Sequence, residues 1–245
     1  MLALTVAAIA ATVAFVVSEA RAEDPVVPLS VFRSRPLVGA SVIGLLSTAA
    51  MCSLFFFISL YLQSVAGYSV LAAGAVFLPM TAVIAVGAPL AGVVGSRIKA
   101  RALGSIGMAL LSLAMLLLSR LGEGLDISGI VLGLLIAGVG VALTATPVTA
   151  VAVEELPESR QGLAGALIST SRTVGLAAGV AVMGAILGAT TGDEMTSRLS
   201  LGLKVNAAIA AAGVIAAASL LPAGRRRKGR TRRLVSVPGE TGGGG

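Results

Sequence analysis

The chain has 245 residues, of which 56% are hydrophobic and only 12% are charged. A soluble domain carries about 25% charged residues, so this composition excludes a water-soluble globule. The sequence has no histidine and a single cysteine, Cys52, which excludes an intrachain disulfide and a His/Cys metal site. It also contains no P-loop, no Gly-x-Ser-x-Gly elbow and no triad histidine. We therefore expect no enzyme activity, no metal and no cofactor.

Long apolar segments follow one another along the chain, separated by short charged breaks. They cover 2–17, 37–62, 70–95, 102–121, 127–151, 162–188 and 204–221. A helix of about 20 apolar residues crosses a hydrocarbon core about 30 Å thick. A membrane barrel needs alternating strands of about 10 residues, and these runs are longer and do not alternate. The sequence therefore predicts an all-α, polytopic protein of the lipid bilayer with about seven transmembrane helices.

The first segment, 2–17, starts almost at Met1 and has no basic residue ahead of its apolar run. A secretory signal peptide has a positively charged region at this position. The pattern therefore favours a transmembrane helix that is cut close to its start, and a signal peptide is the alternative.

Basic residues fall mainly on one side of the predicted membrane. If the C-terminal tail is cytoplasmic, the loops 18–36, 96–101 and 152–161 lie on its side, and together with the tail they hold fourteen Lys and Arg residues. Only three lie opposite, and they are Arg120, Arg198 and Lys204. Cytoplasmic loops are enriched in Lys and Arg, so the counts predict a cytoplasmic C-terminus.

The tail itself carries a run of basic residues that includes Arg225, Arg226, Arg227 and Lys228. Such a run directly after an apolar helix is typical of a cytoplasmic topology anchor. We expect no nucleic-acid binding by this tail, because no aromatic residue that could stack on a base lies among the arginines.

Arg172 is the one charged residue deep inside a predicted span. An arginine at the centre of a membrane helix costs at least about 2.5–3.5 kcal/mol and usually faces the interior of the bundle. Its neighbours Ser169 and Thr173 make this stretch locally polar, and we expect Pro147 to kink the preceding span. We expect these four residues to line a transport cavity or gate. The alternative is that Arg172 bonds backbone carbonyls of a neighbouring helix as a packing element.

Glycines recur inside the predicted spans. Gly175 and Gly179 stand four residues apart and therefore share one face of their helix, and Gly138 and Gly140 lie close together in the span before it. Small residues at such positions let two membrane helices approach closely. We predict that these four glycines pack against neighbouring helices.

Short motifs distributed along the chain resemble one known family in their order and spacing. They are Pro28–Arg33, Tyr61–Ser69, Gly74 with Leu78 and Pro79, Pro89–Gly92, Gly138-Val-Gly140, Pro147, Glu155–Gly162, and Arg172 followed by Gly175. In this set the chain is similar to the 14-span drug:proton antiporters of the EmrB/QacA type, a branch of the major facilitator superfamily. The likeness extends over about residues 1–222.

The resemblance implies a domain organisation and a function. Residues 1–17 would be the second of two extra central helices, 18–36 a cytoplasmic linker, 37–222 the C-terminal six-helix bundle and 223–245 a disordered tail. The expected activity is proton-coupled efflux of drugs or other small hydrophobic or cationic solutes across a bacterial plasma membrane, together with an N-terminal half. The alternative is a truncated membrane protein that does not transport, or a half that modulates a full transporter.

The loop 92–101 resembles a gating signature of this family, Gly-x-x-x-Asp-Arg/Lys-x-Gly-Arg/Lys-Arg/Lys. Gly92, Arg97 and Arg101 match it, whereas Ser96 replaces the aspartate and Lys99 replaces the second glycine. The resemblance implies a cytoplasmic gating loop, and a plain topology signal is the alternative. The family's Gly-Pro-x-x-Gly-Gly signature and the acidic residues of its N-terminal bundle have no counterpart in the sequence.

Overall fold

The computed structural model describes residues 33–95, 97–120, 126–154, 156–157, 160–187 and 195–222. In these ranges the regular elements are helices, and six helical segments are long and apolar enough to cross a membrane. The predicted all-α membrane fold is confirmed in this part of the chain. The predicted segment 2–17, the basic run 225–228 and the rest of the tail lie outside the described residues.

The first span is helix α1, Arg35–Leu60, which continues into a single π-helical turn, Tyr61–Val65. The second span is formed by α2, Val70–Val76, and α3, Leu78–Gly95. The remaining spans are α4, Ala100–Leu118; α5, Ile127–Glu154; α6, Gln161–Leu187; and α7, Met195–Leu220. Six of the seven predicted apolar segments therefore correspond to helices.

Helix α7 begins at Met195, well before the predicted start at residue 204, so Lys204 lies within the helix and not in a loop. Arg198 and Lys204 interrupt the apolar pattern on the N-terminal side of this segment. Lysine and arginine are good helix formers, so the helix extends through both of them toward its start at Met195. At about 1.5 Å per residue its 26 residues are longer than the hydrocarbon core. Lys204, which is exposed, can therefore reach the interface with its long side chain.

Local hydrogen bonds explain where two of the helices begin. Ser69 caps α2, and its side chain accepts a bond from the backbone N–H of Ala72. Asp126 caps α5: its carboxylate accepts bonds from the Ser128 hydroxyl at 2.7 Å and the Gly129 N–H at 3.0 Å. These bonds lower the pKa of the Asp126 carboxyl, the Ser128 bond most strongly, because they stabilise its charged form.

Four helices form a closed ring in the order α1, α5, α4 and α7, each packing against the next and α7 packing back onto α1. The interior holds large buried side chains such as Phe57, Met108 and Leu203. The other two spans flank this ring: α3 packs mainly on α5, and α6 packs mainly on α1. Only 11% of the apolar window of the span Val70–Gly95 is buried, against 44% for Arg35–Val65, so α3 leaves most of its surface open.

Candidate functional site

Arg172 lines a cavity between three helices. The cavity has a volume of about 230 Å³, and α1, α5 and α6 all contribute to its wall. By the helical rise, Arg172 lies about 16 Å from the start of α6, which is about half the depth of a hydrocarbon core. The residues that line it are Gly44, Ser47, Thr48, Met51, Val141, Thr144, Ala145, Val148 and Arg172.

The Arg172 side chain crosses from α6 to α5. Its Nη2 atom donates a hydrogen bond to Thr149 Oγ1 at 3.1 Å, and its side chain passes over Gly44 of α1. A Cβ atom on Gly44 would lie 3.6 Å from Arg172 Cγ and 3.9 Å from Nε, which is ordinary van der Waals contact. The glycine therefore leaves room beside the guanidinium group.

No acidic side chain of the described residues lies at the depth of Arg172. The two described carboxylates are Asp126, which precedes α5, and Glu154, which ends it. The only hydrogen bond of the guanidinium within the described part of the chain is the one to Thr149. The cavity therefore contains a positive charge in a largely apolar wall without a counter-charge from the described bundle.

Two predicted neighbours of Arg172 do not line the cavity. Ser169 and Thr173 are exposed on α6, and Thr173 donates a hydrogen bond to the Ser169 carbonyl at 3.0 Å. Both lie to the same side of Arg172 on a helix with 3.6 residues per turn, Ser169 rotated by about 60° and Thr173 by about 100°. Pro147 is part of α5, between the lining residues Thr144 and Val148, and its side chain is outside the described atoms.

The four predicted packing glycines all lie against neighbouring helices. A Cβ on Gly175 would overlap the Leu45 carbonyl oxygen, and one on Gly179 would lie 2.7 Å from that of Ala49. Both contacts join α6 to α1. A Cβ on Gly138 would lie 3.0 Å from the Met80 carbonyl of α3, and one on Gly140 would lie 2.7 Å from the Gly107 carbonyl of α4.

The basic loop between α3 and α4 lies at the opposite end of the bundle from Tyr61 and Tyr68, which follow α1. Arg97, Lys99 and Arg101 are exposed. Gly92 lies one turn before the end of α3, where a Cβ would approach Thr146 Cγ2 of α5 to 3.2 Å. Ser96, which replaces the aspartate of the signature, is not among the described residues.

Sequence reasoning missed the cavity residues of α1 and α5. Gly44, Thr48 and Met51 follow helical spacing along α1, and Val141, Thr144, Ala145 and Val148 do so along α5. Thr144 and Thr149 are two of the few polar residues in a mainly apolar helix, and this pattern was the available signal. It was too weak to use, because threonine bonds its own helix: here both hydroxyls donate to carbonyls four residues earlier, at 2.7 Å.

A protein-family model, the Major Facilitator Superfamily, matches residues 1–180. The match covers more than half of the chain, and the chain belongs to this superfamily. The superfamily consists of multi-pass transporters rather than enzymes, which agrees with the six membrane-spanning helices and with the expectation from the sequence.

Several curated relatives are resistance or export proteins of bacteria. The Tetracenomycin C resistance and export protein of Streptomyces glaucescens is 34% identical over 189 residues, which are 76% of this chain and 35% of that protein. Multidrug resistance protein Stp of Mycobacterium tuberculosis is 34% identical over 184 residues, 71% of this chain and 32% of that protein. Methylenomycin A resistance protein of Bacillus subtilis is 29% identical over 182 residues, which are 74% of this chain and 39% of that protein.

The chain therefore spans about a third of the length of the curated relatives that it matches. It is a multi-pass membrane protein of a transporter family.

Proposed function

We propose that this chain is the C-terminal six-helix bundle of a drug-efflux transporter of the 14-span, proton-coupled EmrB/QacA type. The single observation that carries the proposal is the Arg172 cavity, at mid-depth between α1, α5 and α6. Membrane transporters bind substrate near the midplane of the bilayer, at the interface between repeats. An arginine is expensive there unless it serves a water-filled cavity or a solute pathway.

An N-terminal bundle completes the transporter in this proposal, because a path between two rocking halves needs both of them. The surface of α6 supports such a neighbour. Ser169, Thr170 and Thr173 are all exposed on this helix, and hydroxyl-bearing faces of membrane helices generally pack against protein. Helix α3, most of whose surface is uncovered, packs on α5, which α6 also contacts.

The transported solute is small and amphipathic. A drug-sized ligand needs a pocket of about 300–1,000 Å³, and the cavity has about 230 Å³. The described bundle therefore holds one part of a solute, and the partner half encloses the rest. The names of the relatives, which include Tetracenomycin C export and multidrug resistance, support efflux as the direction of transport.

Proton coupling would use a carboxylate of the partner half. The described carboxylates of this chain lie at the ends of α5, whereas a proton carrier inside a membrane needs a buried ionisable group. In the same proposal Gly92, Arg97, Lys99 and Arg101 form a gating loop on the cytoplasmic side.

The basic residues support the proposed orientation. Arg35 at the start of α1, the loop residues Arg97 to Arg101 and Arg160 before α6 lie at one end of the bundle. Tyr61 and Tyr68 lie at the other end, as expected for aromatic residues at a membrane interface. In this proposal the protein lies in the plasma membrane. By the positive-inside rule, the start of α1 and the end of α7 then face the cytoplasm.

The test is reconstitution of efflux. The chain is co-expressed with a 14-span relative's N-terminal half, and release of a panel of fluorescent amphipathic solutes from loaded cells is measured with and without a protonophore. We expect release only when both halves are present, and loss of release with the protonophore. Arg172→Ala should reduce efflux at least tenfold, whereas Ser219→Ala, whose exposed hydroxyl bonds only within α7, should not.

Efflux without the second half would contradict the need for a partner. A complete lack of efflux from an inserted, paired bundle would instead favour the alternative, a membrane protein that does not transport. Normal efflux by an inserted Arg172→Ala variant would remove the cavity from the mechanism.

A further inference from the structure

We propose that the Arg172 cavity binds the anionic group of the solute, a carboxylate or another negatively charged oxygen group, on an otherwise apolar molecule. This inference rests on the proposed efflux function and narrows its substrate class. It departs from the cationic solutes that the sequence resemblance implies.

The guanidinium group has unused hydrogen-bond donors. Arginine carries five N–H groups in a rigid fork that matches a carboxylate. Within the described residues Arg172 uses one of them, in the bond to Thr149 Oγ1. The Thr48 hydroxyl, which also lines the cavity, has no partner in the described part of the chain and adds a further donor.

The other hydroxyls of the site offer no charge to a cation. Ser47 Oγ donates to the Gly44 carbonyl at 3.2 Å, and Thr144 Oγ1 and Thr149 Oγ1 donate to carbonyls of their own helix. A cation in the cavity would meet only neutral oxygens beside a full positive charge. An anion would meet the guanidinium fork in a wall of low polarity, where charge-assisted hydrogen bonds are strong.

The rest of the wall is apolar. Met51 of α1 and Val141 and Val148 of α5 face the same space, and Gly44 leaves room next to the Arg172 side chain. The cavity is smaller than a pocket for a whole drug. The chemistry of the site therefore fits a carboxylate on a small aromatic or aliphatic ring.

Direct binding tests this inference without any need for transport. The full 245-residue chain is placed in lipid nanodiscs, and three probes that share one ring system are compared: 2-naphthoate, 2-naphthalenemethanol and 2-naphthylmethylammonium. The chain contains no tryptophan, so naphthalene fluorescence anisotropy can be read with little protein background. We expect naphthoate to bind at least tenfold more tightly than either of the other probes.

The variants separate the charge from the packing. Arg172→Gln should weaken naphthoate binding at least tenfold and leave the neutral alcohol within twofold. Arg172→Lys keeps the positive charge but lacks the planar guanidinium group, so its affinity for naphthoate should lie between those of the wild type and Arg172→Gln. Thr173→Val is the matched control, and circular dichroism verifies that each variant keeps its helices. If Arg172→Gln does not fold, Gly44→Val replaces it, because the added methyl groups fill the space beside the guanidinium.

Equal naphthoate binding by the wild-type chain and a folded Arg172→Gln variant would overturn the inference, and so would tighter binding of the ammonium probe. A carboxylate of the partner half is another source of the same chemistry. If co-assembly with an N-terminal half abolishes naphthoate binding, the guanidinium is paired inside the transporter and the inference is wrong. Efflux without naphthoate binding would contradict this inference and leave the proposed efflux function intact. Naphthoate binding without efflux would contradict only the efflux function.

Discussion

The α4–α7 interface and the α1–α6 interface hold helices together in different ways. Across the first, the Ser112 hydroxyl donates to the Ala207 carbonyl at 2.9 Å, and the Ser200 hydroxyl donates to the Ser119 carbonyl. Near it, Asn206 Nδ2 reaches the α1 backbone at 2.8 Å. The first interface therefore combines side-chain hydrogen bonds with large buried side chains.

The α1–α6 interface is built from backbone contacts at Gly175 and Gly179. Among the described residues one hydroxyl crosses it, that of Ser53. Its bond to the Gly179 carbonyl is 3.4 Å long, whereas its bond within α1 is 2.9 Å. The cavity that holds Arg172 lies beside this interface. The more weakly bonded side of the bundle is therefore the side with the candidate site.

This difference indicates that one interface of the bundle is fixed and the other can move. Hydrogen bonds between membrane helices contribute about 0.6 kcal/mol each on average, so several of them favour one fixed arrangement of α4 and α7. Glycine contacts give close approach without directional bonds, and such faces allow helices to rock past each other. We therefore expect conformational change to move α6 relative to α1 and to leave α4 and α7 together.

The largest effect should come from Gly175→Leu, because the obstacle is backbone: a Cβ there overlaps the Leu45 carbonyl oxygen. Overpacking costs about 1–3 kcal/mol, and we expect the upper end of that range in the free energy of unfolding. Thermal unfolding in detergent measures it. Gly184→Leu on the same helix is the control, since a Cβ on Gly184 meets no atom within 4 Å. Equal destabilisation by both variants would refute the close α1–α6 contact.

Asn206→Ala should follow, with a loss of about 1 kcal/mol, because a hydrogen bond between membrane helices contributes about 0.6 kcal/mol on average and truncating this fully buried side chain also leaves a void. The same unfolding assay applies. The control is Ser219→Ala, whose hydroxyl is exposed and bonds only within α7. An Asn206 variant as stable as that control would show that this residue does not connect α7 to α1.

Ser112→Ala and Ser53→Ala compare the two interfaces directly. The 2.9 Å bond of Ser112 to α7 should contribute about 0.6 kcal/mol. The 3.4 Å bond of Ser53 to α6 is beyond the usual distance and should contribute less than half as much. The difference in denaturation midpoint between the two variants measures this. If Ser53→Ala lost more stability than Ser112→Ala, the α1–α6 interface would be the more strongly hydrogen-bonded one, contrary to our comparison.

The smallest effect concerns Asp126, at the start of α5. Its pKa is lowered in the folded chain by the bonds from Ser128 and Gly129. The carboxylate therefore stabilises the helix start above the usual aspartate pKa of about 3.9, and this contribution is lost as the pH falls through the lowered pKa. Amide exchange at Gly129, expressed as a protection factor, should show the loss in wild type and not in Asp126→Asn. Parallel pH profiles would exclude the carboxylate as the cause.

Much of the fold followed from the sequence, because the length and hydropathy of a span are local properties. The start of α7 did not follow, since Arg198 and Lys204 interrupt the apolar pattern while the helix continues. Arg172 could be singled out as a charge inside a span. Its partner Thr149 could not, because which face of α5 meets α6 depends on how three helices pack.

The corner between the first two spans provides a built-in optical probe. The sequence has two tyrosines and no tryptophan, and both tyrosines lie in this corner, Tyr61 in the π-helical turn and Tyr68 just after Gly67, whose φ of 72° reverses the chain. Intrinsic ultraviolet emission of the chain therefore reports on this one place. A water-soluble collisional quencher added on one side of sealed vesicles would read which way the molecule sits without any label.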